Sequence, residues 1–328
     1  MSDYKTLKKR LDQGDVIIHD GAVGTHLQHL GVPIAMTSWA GAALHTHPDT
    51  VLHMHEQYVK AGVDILTTNT YSAARHCFEP MGLGDSTREL NMRAVHLAQT
   101  ARDKHGKARP IYIGGAVSNY GIVAGSERNE RTEGPGRSPR DIWPSYTAEQ
   151  AQENLHNQAR YLAEAGVDFL LAESTGSILN RKWVTEACLA TGLPVWVGYK
   201  TRLDGKTVKS GYLENANFSK ALDEIIPLGG DVINVFHSPV EATTASIPIV
   251  KKKWKGAIGV YPDASRHDYV SPREDSSFRN PTSVKQFVKQ AQDWVKSGVQ
   301  IVGTCCGFGP EYIEPLRKAL PARIPGRK

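Results

Sequence analysis

The chain has 328 residues, 40% hydrophobic and 22% charged, with a net charge of 39 − 34 = +5. That length suits one large α/β barrel or two smaller domains, and no run is long and apolar enough to span a bilayer. Its four cysteines (Cys77, Cys188, Cys305 and Cys306) are too few and too dispersed for a secreted disulfide framework.

The first ten residues lack the apolar segment of a signal peptide. With the cysteine usage, this sets the expectation of a reducing, cytoplasmic location. Basic residues are scattered, apart from Lys251-Lys252-Lys253-Trp254-Lys255. That cluster falls where a helix should end, and cations favour helix C-termini. No motif supports a nucleic-acid partner, and no membrane partner is expected.

Taken in chain order, short apolar runs predict strands at 16–20, 64–69, 111–115, 168–173, 195–199, 231–235, 257–261 and 300–304. Several follow a glycine stop such as Ala-Gly-Val-Asp or Ser-Gly-Val. Amphipathic stretches lie between them, with helices predicted over 43–61 and 147–165. Continuous apolar strands alternating with helices argue for a helix-covered parallel sheet. Eight units in this length predict a (β/α)8 TIM barrel, taken as one domain over residues 1–328. A doubly wound open sheet is the alternative, but no Gly-x-Gly-x-x-Gly follows the first strand. A long polar segment, about 119–146, reads as a loop over the barrel's C-terminal face, either a lid or an exposed insertion.

Active sites of such barrels form at the C-terminal strand ends. Those ends read Asp20-Gly21-Ala22, Thr68-Asn69-Thr70-Tyr71, Glu173-Ser174-Thr175, Val235-Phe236-His237, Pro262-Asp263 and Cys305-Cys306. Adjacent side chains on a regular strand point to opposite faces. Cys305 and Cys306 can therefore serve one centre only where the strand breaks, and Gly303, Gly307 and Gly309 supply that freedom. Two thiolates suit zinc, whereas the alternative is a pair of small buried residues. A rim carboxylate can hold a substrate ammonium. Alternatively, Asp20 is a turn residue and Glu173 an ion-pair partner.

Asp20-Gly21-Ala22-Val23-Gly24-Thr25, Thr68-Asn69-Thr70-Tyr71, Tyr261-Pro262-Asp263 and Gly303-Thr304-Cys305-Cys306-Gly307 resemble, in order, motifs of the homocysteine S-methyltransferases. The resemblance runs from residue 20 to about 316. It implies a barrel in which zinc binds homocysteine as thiolate for attack on an activated methyl group. It also implies that Asp20, Asn69 and Glu173 belong to the substrate site and that Trp39 lines the methyl-donor side. An aromatic face suits a quaternary ammonium through cation–π attraction. The family's first zinc cysteine follows an asparagine, and Val235 occupies that position in Ile233-Asn234-Val235-Phe236-His237-Ser238-Pro239. Valine cannot bind metal. His237 would share a face with Val235 if strand alternation continued, and its imidazole is a competent third ligand. The other reading of His237 is a loop histidine bonded to backbone or solvent, with Cys77 as a remoter ligand candidate. Asp263 replaces the family's usual asparagine and adds charge at the rim.

The expected activity is methyl transfer from a small onium donor, of betaine or S-methylmethionine type, to a thiol, homocysteine foremost. Cys305, Cys306 and His237 would hold the zinc. A zinc-free methyltransferase with another acceptor and a noncatalytic small-molecule sensor are the other readings. The oligomeric state, monomer or homo-oligomer, stays open.

Overall fold

Eight short strands line up in parallel around a ring, each delivering its C-terminal end to the same side. In this computed structural model, which describes residues 3–106, 108–122, 146–211, 216–264 and 282–326, they are β1 (Ile17–Ile18), β2 (Ile65–Thr67), β3 (Tyr112–Ser118), β4 (Phe169–Ser174), β5 (Val195–Tyr199), β8 (Val232–Pro239), β9 (Ala257–Asp263) and β10 (Ile301–Val302). Between β5 and β8 sits an antiparallel hairpin, β6 (Thr201–Asp204) and β7 (Thr207–Ser210). The ring runs β1-β10-β9-β8-β5-β4-β3-β2 and closes through a parallel bridge between His19 and Ile65. This is the (β/α)8 barrel, with all eight predicted strands in place. Among the described residues no helix is long and apolar enough to cross a membrane.

Alternation along each strand divides the apolar residues into two layers. Ile17, Ile65, Phe169, Trp196, Val232 and Ile301 belong to the cluster filling the barrel's lower interior. A helix before the first strand, Tyr4–Asp12, covers that end with Leu7 and Leu11. Trp196 Nε1 donates to the Tyr4 hydroxyl at 3.0 Å, and the Trp196 ring lies 4.3 Å from that of Phe169. Each large apolar side chain buried here contributes roughly 1.5–3 kcal/mol. The opposite residues, among them Ile18, Leu66, Ile233, Val235 and Val260, pack outward against the helices.

The first and last parts of the chain meet at the bottom of the ring. Asp64 accepts from the Ile18 amide at 2.8 Å and from Arg317 at 2.5 Å, and lies 3.4 Å from Arg10. Asp15 pairs with Arg323 at 3.0 Å.

The predicted helix over 147–165 is Ala148–Glu164, started by a capping box between Thr147 and Gln150. The basic cluster ends the helix Val240–Lys253, as its position implied. The helix expected over 43–61 is two helices, Ala43–Thr46 and Pro48–Ala61. Pro48 begins the second, where its missing N–H costs no helical hydrogen bond. The β6–β7 hairpin was not predicted, although its two-residue loop, Gly205-Lys206, begins with the glycine that such hairpin turns favour. Most of the expected lid, residues 123–145, lies outside the described residues.

Candidate active site

Along β8, Asn234 and Phe236 face the interior. The Phe236 ring lies 5.6 Å from that of Tyr261, and a side chain at Gly259 would collide with Asn234. Val235 therefore faces out, wholly buried in the helix-facing layer. Regular alternation would carry His237 outward with it, and here the structure departs from the expectation. The β8–β9 register shifts between Phe236 and Pro239, and His237 adopts φ +46°. A left-handed backbone at a non-glycine residue costs roughly 1–3 kcal/mol. The break turns the imidazole inward, so His237 reaches the thiols because strand geometry stops, while Val235 points away from them.

The two cysteines come together for a related reason. β10 ends at Val302, and the chain then turns through Gly303-Thr304-Cys305-Cys306-Gly307. Cys305 N–H donates to the Pro262 carbonyl at 2.8 Å, and Ala264 N–H to the Cys306 carbonyl at 2.8 Å. Gly307 N–H donates to Thr25 Oγ1 at 3.1 Å, and its φ of +82° is one that glycine accepts readily. With the backbone so fixed, the sulfur atoms lie 3.9 Å apart.

His237 Nδ1 stands 3.6 Å from Cys305 Sγ, 3.5 Å from Cys306 Sγ and 2.9 Å from Asp263 Oδ1. All four ligand atoms fall within 4.8 Å of one another. A tetrahedral zinc with ordinary bond lengths requires S···S of about 3.8 Å and S···N of about 3.5 Å. The thiols and imidazole match both separations. Asp263 Oδ1 is buried and lacks a hydrogen bond of proper geometry despite its nearness to Nδ1. The donor set therefore fits a divalent metal.

Electrostatics point the same way. The contact with Cys306, reinforced by burial, pushes the Cys305 thiol well up. Burial works against the charged form of His237, yet the Asp263 carboxylate outweighs it and lifts the imidazole to about 9. Without a metal, Cys305 keeps its proton and the imidazole is charged. Binding a cation displaces those protons.

The two predicted acids lie at the same mouth. Asp20 accepts from Thr67 twice, from the amide at 2.6 Å and from the hydroxyl at 2.7 Å, and its own carbonyl accepts from Thr304 N–H at 3.0 Å. Glu173 accepts from the Tyr261 hydroxyl at 2.8 Å. Burial raises each carboxyl to about 7, and the charge of Glu173 adds to the rise at Asp20.

Asn69 spends its amide N–H on the Ala40 carbonyl at 2.9 Å, which ties down the segment carrying Trp39. The Trp39 indole packs so closely on Gly24 that any side chain there would collide with it. This places Trp39 beside the helix Gly24–His29, whose Thr25 holds the cysteine turn. Cys77 stands apart, buried, with its thiol directed at the Tyr120 carbonyl. Asp263 was read from sequence as a rim charge only. Its place in the metal-binding group depends on the His237 kink, although its position after Pro262 at a strand end was the available signal.

Residues 17–320 match the family model for homocysteine S-methyltransferase. A selenocysteine methyltransferase of Astragalus bisulcatus is 26% identical, covering 94% of this chain and 93% of its own. Homocysteine S-methyltransferase 1 of Zea mays is 27% identical, covering 94% and 96%. The metallated form of the Escherichia coli homocysteine methyltransferase MmuM superposes with a TM-score of 0.71 at 20% identity, covering 95% of this chain and 99% of that one.

Proposed function

The chain belongs to the homocysteine S-methyltransferase family, and on that premise we propose that it moves a methyl group from a small onium donor to the thiol of homocysteine. It is a methyltransferase; the donor, of betaine or S-methylmethionine type, and the acceptor are the proposed part. The observation that carries the reading is the group Cys305, Cys306, His237 and Asp263 at one mouth with the buried acids Asp20 and Glu173.

Cys305, Cys306 and His237 would hold zinc, with Asp263 beside them. Zinc bound there supplies positive charge that keeps an acceptor sulfur ionised near neutral pH. Asp20 and Glu173 take the acceptor's ammonium. Each carboxyl is raised to about 7 by burial, and an arriving cation favours its ionised form. Trp39 offers its face to the donor cation. With both substrates positioned in line, the sulfur lone pair forms the new S–C bond as the methyl's bond to the onium nitrogen or sulfur breaks. The donor leaves as a neutral amine or thioether, its positive charge cancelled by the negative charge of the thiolate.

The test uses protein purified under reducing conditions, with metal analysis and product detection by mass spectrometry. Homocysteine is offered with glycine betaine or with S-methylmethionine. The expected result is about one zinc per chain and methionine formation, both lost in a folded Cys305→Ser variant. Transfer by metal-free protein would favour the zinc-free enzyme. Onium binding without transfer would favour a sensor.

A further inference from the structure

We infer that Lys200 is a positioning residue for the candidate metal centre: by donating to the His237 carbonyl it holds the kink that turns the imidazole onto Cys305 and Cys306. The inference rests on the metal reading above and adds a residue outside the ligand set.

Lys200 follows β5 directly and is 1% exposed. Its Nζ lies 2.5 Å from the His237 carbonyl oxygen. His237 sits within the irregular stretch of the β8–β9 ladder. A buried carbonyl displaced from a regular ladder needs another donor, and an ammonium makes a strong, charge-assisted one. The next residue extends the grip. Thr201 N–H donates to Ser238 Oγ at 2.7 Å, and Ser238 Oγ donates to the Phe236 carbonyl at 2.7 Å. Two consecutive residues leaving β5 thus fasten Phe236, His237 and Ser238, the three residues across which the backbone breaks.

A hydroxyl or amide could satisfy one carbonyl at less cost than a buried ammonium. The lysine's charge is accounted for by what surrounds it. Burial disfavours the ammonium, and Asp263, Cys305 and Cys306 oppose that penalty. These neighbours offset part of the cost of burying the ammonium that fixes the backbone of one ligand.

The test is a double-mutant cycle on the full chain, reading zinc affinity by competition with a chromophoric chelator. Lys200→Met should loosen zinc at least tenfold when His237 is present and by less than twofold in the His237→Ala background. Lys200→Arg should recover most of the loss. Equal weakening in both backgrounds, or full affinity in Lys200→Met, would overturn the inference. A second readout needs no metal. The ring 1H–15N resonances of His237, assigned through His237→Ala, should move in metal-free Lys200→Met, and their staying in place would also overturn it. If the unsubstituted protein takes no zinc, the metal reading fails while the resonances still decide the role of Lys200. Should Lys200→Met not fold, Lys200→Gln, whose amide ends one bond short of the His237 carbonyl, enters the same cycle under the same criteria.

Discussion

Replacing Asp20 with asparagine should change how stability depends on pH. The amide preserves the site's shape: its oxygen still accepts the Thr67 N–H now bonded at 2.6 Å, and its NH2 can donate to the hydroxyl now at 2.7 Å. What disappears is the burden of ionising a buried acid. Burial raises this carboxyl from 3.8 to about 7, so between those values the folded chain holds a proton that the unfolded chain releases. Stability must therefore fall as pH rises through that window and level off above it. The linked cost is roughly 2 kcal/mol at pH 5 and roughly 4 kcal/mol at pH 8. Urea unfolding of ligand-free protein in chelator, from pH 5 to 8, should show the unsubstituted chain losing about 2–3 kcal/mol more than Asp20→Asn. Parallel pH profiles for the two proteins would refute the reasoning, because they would mean that Asp20 ionises as easily when folded as when unfolded.

Two further outcomes follow from the site. His237→Ala should lower zinc occupancy after dialysis against a weak chelator, whereas Val235→Cys should leave it unchanged, since that side chain faces the helix layer; elemental analysis of the three proteins decides. Trp39→Ala should weaken a quaternary ammonium donor by about 0.5–2 kcal/mol in calorimetric titration, and unchanged affinity with the fold intact would assign the indole to packing against Gly24.

The barrel was legible because each strand is an apolar run set off by glycine or a charged residue, a signal that survives without tertiary information. Elements outside that repeat were harder to see. The helix Tyr4–Asp12 offers only Tyr4, Leu7 and Leu11 as an apolar face, and the β6–β7 hairpin has a clear turn but short, polar arms. At the mouth, the acids and thiols could be placed by counting to strand ends. The direction of His237 could not, because one positive φ reverses what alternation dictates, and no neighbouring glycine marks the spot. Setting Val235 against a family cysteine compared positions in a sequence, whereas the metal-binding group depends on which residue the kink turns inward.

Ring closure has a consequence for synthesis. β1 is finished by residue 18, yet its ladder partner β10 begins at Ile301, and the Asp15 and Asp64 ion pairs await Arg323 and Arg317. At the usual elongation rate of about 5–20 residues per second, that interval lasts roughly 15–60 s. Throughout it the nascent chain carries an unpaired apolar edge at β1, with the lower interior open on one side. Long-range parallel pairing is intrinsically slow and prone to aggregation. The segment from Ile301 to Arg323 therefore acts as a latch on folding, and a ribosome stalled before Ile301 should present a sheet exposed to chaperones rather than a partly active enzyme.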